Sequence, residues 1–143
     1  MERRFVVPGK PVGKGRPRFS TASGYVKTYT PEKTANYENW VKLCYQDIWH
    51  GAPLLEGPLC MLLEATFEVP KSWPKKRRAL AIDGHLRPVV KPDADNLIKA
   101  VADALNGIAY QDDVQVVSVT CHKQYGTAAG LVVSLRTLDE QEA

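Results

Sequence analysis

Lys91-Pro92-Asp93-Ala94-Asp95-Asn96-Leu97-Ile98-Lys99-Ala100-Val101-Ala102-Asp103-Ala104-Leu105-Asn106-Gly107-Ile108 spells out an amphipathic helix and both of its ends. Leu97, Val101, Ala104, Leu105 and Ile108 recur at i, i+4, i+7, i+8 and i+11, a single apolar stripe at helical period. At about 100° per residue, Asp95, Lys99 and Asp103 share the opposite face. Inside the helix Asp93 would point well away from Asp95, because residues two apart do not face each other. Pro92 pushes Lys91 toward extended geometry, and Asp is a favoured N-cap. Asp93 is therefore expected just outside the helix, its carboxylate aimed differently from the turns that follow, with Asn106-Gly107 as the stop.

Asp112-Asp113 follow soon after, so four carboxylates and a lysine surround one helix and its exit turn. Hard cations such as Mg²⁺ and Mn²⁺ take oxygen ligands, and phosphoryl-transfer sites combine a few carboxylates with water and substrate phosphate. The arrangement points to an enzyme acting on nucleic acid. A plainer reading makes Asp93 only an N-cap, Asp95 a complement to the helix dipole, and Lys99 an exposed i,i+4 partner of Asp95 and Asp103. An Asp pair in a turn before a strand is also common. Spacing alone leaves both readings open.

The run from Lys91 to Gly107, continued by Tyr110-Gln111-Asp112-Asp113-Val114-Gln115-Val116-Val117, resembles the signature of the RusA family of Holliday-junction resolvases. This match covers about a fifth of the chain, and Gly13-Lys14-Gly15-Arg16-Pro17-Arg18-Phe19 extends it more weakly. The resemblance implies a small homodimeric endonuclease of bacteria or their prophages, dependent on Mg²⁺ or Mn²⁺, that cuts four-way DNA junctions at paired positions. It implies Asp93, Asp95 and Asp113 as metal ligands and catalytic acids and Lys99 as the essential lysine; Asn96, alongside Asp95 on the helix, and Asp112, the other member of the Asp pair, are candidate supporting neighbours. Relative to the shorter prototype, the chain is expanded between Pro70 and Lys91, differs at its N-terminus, and has a slightly shorter connection from helix to Asp pair. These departures bear on junction and sequence preference rather than on the chemistry. A branched-DNA or flap nuclease without paired cutting, and a DNA-binding module that no longer catalyses, are the competing functions.

A chain of 143 residues with 44% hydrophobic content can bury one core, and no composition break marks a second unit, so residues 1–143 read as a single domain. The N-terminus lacks the apolar run of a signal peptide or membrane span, so a cytoplasmic, membrane-free protein is expected. Cys44, Cys60 and Cys121 lack Cys-x-x-Cys spacing and read as reduced core residues; His50, His85 and His122 show no ligand spacing, so zinc is not expected. Residues 1–91 hold sixteen Lys and Arg against eight Asp and Glu, and the remainder three against eight. Clusters at Lys10, Lys14, Arg16, Arg18 and at Lys71, Lys75, Lys76, Arg77, Arg78 suit DNA phosphates, whereas the acidic half needs metal to approach them.

The other elements follow from period and punctuation. Arg4–Val7 reads as a short strand, followed by a loop or irregular hairpin toward Tyr29. Thr30-Pro31-Glu32 starts a helix running to about His50, with Tyr37, Trp40, Val41, Cys44 and Ile48 as its apolar stripe. Leu59 to Val69 alternates as a half-buried strand. Residues 71–91 read as a basic, mobile arm with a short helix near Lys75 to Ala81 and Trp73 as its anchor. Val114–Gln124 and Leu131–Arg136 read as an antiparallel hairpin. The expected fold is α+β, with two main helices packed on a small mixed sheet.

Overall fold

Alternation of apolar and polar residues builds the sheet. In the computed structural model, which describes residues 1–15, 32–138 and, as backbone only, 18–20 and 27–29, strand β1 (Glu2–Pro8) exposes every other residue and buries Arg3, Phe5 and Val7. A second, two-stranded sheet pairs β2 (Arg18–Ser20) with β3 (Lys27–Tyr29). Strand β4 (Leu59–Glu68) buries Leu59, Met61, Leu63, Ala65 and Phe67 on one face. Strands β5 (Val116–Gly126) and β6 (Gly130–Thr137) complete a four-stranded sheet of order β1-β6-β4-β5. Only the β4–β5 pair is parallel, with Met61 opposite Val119; β6 runs antiparallel to both neighbours, placing Val133 opposite Phe5 and Leu63.

Two helices cover the apolar face. Helix α1 (Glu32–Trp49) packs on β1, and α3 (Ala94–Ala104) packs on α1. Leu97, Val101, Ala104 and Leu105 are fully buried, as the stripe requires, whereas Ile108, past the end of the helix, is only partly buried; each of the Leu and Val side chains contributes about 1.5–3 kcal/mol relative to exposure. The stripe of α1 differs from expectation. Trp40 and Ile48 are 42% and 55% exposed, and the buried line is Thr34, Tyr37, Val41 and Tyr45. Tyr45 belongs inside because its hydroxyl accepts a 2.8 Å bond from the buried Arg3 guanidinium, giving that charge a partner. The three cysteines are free thiols and half-buried. Among the described residues no helix is long and apolar enough to cross a membrane.

The expected β5–β6 hairpin is not formed, because β4 lies between the two strands. Strand β6 buries Leu131, Val133 and Leu135 and takes an interior place, whereas β5 exposes Val117, Ser118, Thr120 and His122 and takes the edge. Residues 127–129 consequently pass over the end of β4, since Gly126 lies opposite Glu68 and Gly130 opposite Thr66. The passage is tight: a Cβ on Gly126 would sit 2.6 Å from Thr66 Cγ2. Val114, assigned to the strand from sequence, instead belongs to a 3₁₀ turn (Asp113–Gln115) ahead of β5.

The arm contains helix α2 (Lys75–Ile82) and docks beside β5. Trp73 meets Tyr125 edge-on at 5.4 Å, the Arg77 guanidinium lies 3.9 Å over the Trp73 ring, and Lys123 Nζ donates to the Val90 carbonyl at 2.5 Å.

Gly126→Ala should lower stability by about 1–3 kcal/mol, the usual scale of overpacking. Thr66→Ser, which removes the clashing methyl and keeps the hydroxyl, should restore much of the loss in the double variant. Urea unfolding of both variants checks this; a single-variant loss within about 0.5 kcal/mol would mean the crossing has room to spare.

Candidate active site

Burial of one face of α3 turns its other face outward, with Asp95 and Lys99 exposed and Asp103 half-exposed. Asp93 occupies the N-cap position with extended backbone (φ −67°, ψ 154°) but makes no side-chain capping bond. Its carboxylate is thus available to something other than the helix, in contrast to the usual cap. A cis Lys91-Pro92 peptide leads into it. The N-terminal loop closes over this entrance: the Lys14 N–H donates to the Asn96 carbonyl at 2.8 Å, and a Cβ on Gly13 would fall 2.7 Å from Pro92 Cβ and 2.9 Å from Asn96 Cβ. Only glycine permits that approach.

Lys14 departs from the expected DNA contact. Its ammonium is 2.6 Å from Glu38 Oε1 and 3.2 Å from Asp103 Oδ2, with only 16% of the side chain exposed. Burial pulls its pKa down, but hydrogen bonds and the charges of Glu38 and Asp103 outweigh burial and leave it above the ordinary lysine value. Lys14 therefore ties α1 to α3, while its neighbour Gly15 donates its N–H to Thr34 Oγ1 at 2.9 Å. Asp103 being taken by Lys14, Lys99 keeps no carboxylate within 4.0 Å among the described residues. It is not the helix-surface ion-pair partner of the plainer reading.

At the other end of α3, Gly107 (φ +72°) turns the chain, and the buried Tyr110 donates its hydroxyl to the Ala102 carbonyl at 2.7 Å, fastening the turn to the helix. The Asp113 N–H donates to Asn106 Oδ1 at 2.8 Å. Asp112 caps the 3₁₀ turn, accepting from the Val114 N–H at 3.1 Å. Gln115 grips from behind: its Oε1 accepts from the N–H groups of Gln111 and Asp112, and its Nε2 donates to the carbonyls of Leu55 and Gly57. Burial, a hydrogen bond to the Asp112 carboxyl and the charges of Asp103 and Asp112 raise the Asp113 pKa, with the Asn106 amide partly opposing. These are crowded oxygen donors of the kind a hard divalent cation relieves.

The structure thus gathers Asp103, Asn106, Asp112 and Asp113 at one end of α3 and places Asp93, Asp95 and Asn96 toward the other, with Lys99 between. Asp95 and Asp103 are separated by about 12 Å along the axis. Among the described residues no three or more His, Cys, Asp or Glu side chains come together closely enough to hold a metal ion by themselves. An open set still suits Mg²⁺, which is commonly held by one or two carboxylates and completed by water and substrate phosphate. Asn106, Gln115 and the Lys14–Glu38 pair are the positioning residues that the sequence reading missed. Asp112-x-x-Gln115 has capping-box spacing, a signal readable in the sequence.

Residues 8–136 match the RusA family, described as endodeoxyribonuclease RusA. The chain belongs to that family. It is also 37% identical over 135 residues to the uncharacterized protein YqaN of Bacillus subtilis (strain 168), covering 93% of this chain and 94% of that protein. The RusA match spans β1's end to β6 and includes both ends of α3 and the Asp112–Asp113 turn, so the acidic face lies within the endodeoxyribonuclease domain.

Of the expected phosphate contacts, Lys10, Lys75, Lys76, Arg77 and Arg78 are exposed, with Arg77 also stacked on Trp73. Arg16 lies outside the described residues, and Arg18 is described only as backbone.

Lys14→Met should cost about 1–3 kcal/mol, the scale of a charge-assisted bond lost from a largely covered site. Because the lysine pKa is raised on folding, the contribution should be constant through neutral pH and disappear as pH rises past the ordinary lysine range. Denaturant titrations of wild type and variant at pH 7 and above 10.5 test both statements. Equal stability at pH 7 would show that Lys14 is a solvated surface charge.

Proposed function

We propose that this RusA-family endonuclease resolves four-way DNA junctions by paired phosphodiester hydrolysis. The observation that carries the reading is the family match over residues 8–136, a span that contains Asp93, Asp95, Lys99 and Asp113. Asp93, Asp95 and Asp113 would hold one or two Mg²⁺ or Mn²⁺ ions, with Asn96 and Asp112 supporting them. When bound, such ions activate water and stabilise charge on the attacking and leaving oxygens of an in-line displacement. Lys99, exposed between the two acidic groups and without a carboxylate partner among the described residues, directs its ammonium at the scissile phosphate. There it offsets the charge that grows on the phosphoryl oxygens.

Lys10, Lys75, Lys76 and Arg78, all exposed, supply phosphate contacts away from the cut, and Arg77 adds its charge from the arm. Two cuts on symmetry-related strands call for two sites related by a twofold axis, which a homodimer provides most simply, one site per chain. Branched DNA bound by such a dimer is the proposed substrate.

Asp93→Asn, Asp95→Asn and Asp113→Asn should each abolish Mg²⁺-dependent cleavage of a four-way junction labelled on each strand in turn, while junction binding persists. Lys99→Ala should slow single turnover by about 10²-fold or more. Symmetrical cuts on the junction, with little cutting of flaps or linear duplex, are the expected pattern. Near-normal turnover by an aspartate variant would remove that residue from the chemistry, and equal cutting of all substrates would remove the junction.

A further inference from the structure

Where the arm returns toward the acidic face, it encloses space that the nuclease chemistry does not use. A cavity of about 370 Å³ lies beside the carboxyl ends of β4 and β5, walled by Phe67, Trp73, Tyr125 and Pro70 and bordered by Lys10 and Lys91. Lys91 stands two residues before Asp93 in the chain, so the cavity opens beside the entrance to α3. Its walls are held from outside. Arg77 covers one side of the Trp73 ring at 3.9 Å, Tyr125 meets Trp73 at 5.4 Å, and the Lys123 ammonium, which sits 5.5 Å from the Phe67 ring centroid, ties down Val90 on the returning segment of the arm.

We propose that this cavity is a nucleobase pocket, receiving one base unstacked from the DNA strand next to the scissile phosphate. The proposal rests on the endonuclease reading and names where that substrate is gripped. Aromatic walls with a lysine rim are the combination that single-stranded nucleic acid requires, the rings offering stacking surface and the ammonium groups meeting the backbone. Both rim lysines are exposed. Glu68 is the acid at the border, and a carboxylate can only accept; it disfavours thymine, whose single N3–H donor lies between two carbonyl oxygens that repel the carboxylate, relative to bases that present an exocyclic amino group. Withdrawing a base from a duplex is costly, but least so where stacking is already interrupted, as at a branch point. A pocket preassembled by Arg77 and Tyr125 spends none of its binding on ordering the arm.

The test is an abasic scan. On a four-way junction whose cut has been mapped with wild-type protein, each nucleotide flanking the scissile phosphate is replaced in turn by an abasic residue. One position should lower wild-type affinity or single-turnover rate by about 5- to 150-fold, the range for one base–aromatic stack. At that position thymine should be the weakest of the four bases. Trp73→Leu, or Tyr125→Leu where the first variant loosens the arm, should lose a similar factor on the intact junction and nothing further on the abasic one. A wild-type scan flat within twofold overturns the pocket, as does a loss of equal size in wild type and variants. If wild type fails to cut the intact junction with Mg²⁺ or Mn²⁺, the endonuclease reading fails instead. The scan is then placed across the branch point and read as affinity in EDTA, which still decides the pocket.

Discussion

Everything at the candidate site depends on the burial of one face of α3. Leu97, Ala100, Val101 and Ala104 are wholly withdrawn from water, and no rotation of the helix can keep them so while hiding Asp95, Lys99 and Asp103. The hydrophobic core therefore sets the direction of the acidic face. Tyr110 extends the constraint past the helix by bonding to the Ala102 carbonyl, so the turn carrying Asp112 and Asp113 is fixed to the same rigid element as Asp95. Chemistry-bearing side chains on a packed helix and on a turn clamped to it are held more firmly than side chains on a free loop.

Charge is then distributed by pairing. Lys14 bridges Glu38 and Asp103 where α1 meets α3, a place where two largely covered carboxylates would otherwise repel. Asp112 and Asp113 are left crowded against each other, and Asp93 is left at a helix start without a capping bond. Local rules are satisfied through most of the molecule and broken around the proposed cation and phosphate positions. Such departures are characteristic of functional sites, where a ligand supplies what the protein withholds.

Much of this was legible in the sequence where the signal is local. The stripe of α3, the position of Asp93 outside the helix, the alternation of β4 and the short helix in the arm all follow from period and capping, and the structure has each of them. Long-range choices were not legible. Whether β6 pairs with β5 or inserts beside β4 depends on which strand the whole sheet buries, and adjacent strands joined by a short connection favour the wrong answer. Lys14 looks like a phosphate contact until α1 brings Glu38 to it from 24 residues away. Tyr45 replaces Ile48 on the buried side of α1 because Arg3, in another element, needs its hydroxyl. The candidate acids stand out in the sequence through the family resemblance, spacing alone leaving both readings open, whereas Asn106 and Gln115 act on Asp112 and Asp113 through backbone bonds that composition does not reveal.

The proposal on which the chemistry turns is that Asp93, Asp95 and Asp113, from the two ends of α3, together hold the cations that cleavage requires. Paramagnetic broadening by Mn²⁺, read on the backbone amides of the isotopically labelled protein as the ion is titrated with a non-cleavable junction bound, tests it most directly. The account predicts that the amides of residues 93–96 and 112–115 broaden together at the same low Mn²⁺ concentration, and that Asp95→Asn weakens the effect at both ends. Broadening at one end alone, or at neither, would contradict that assignment.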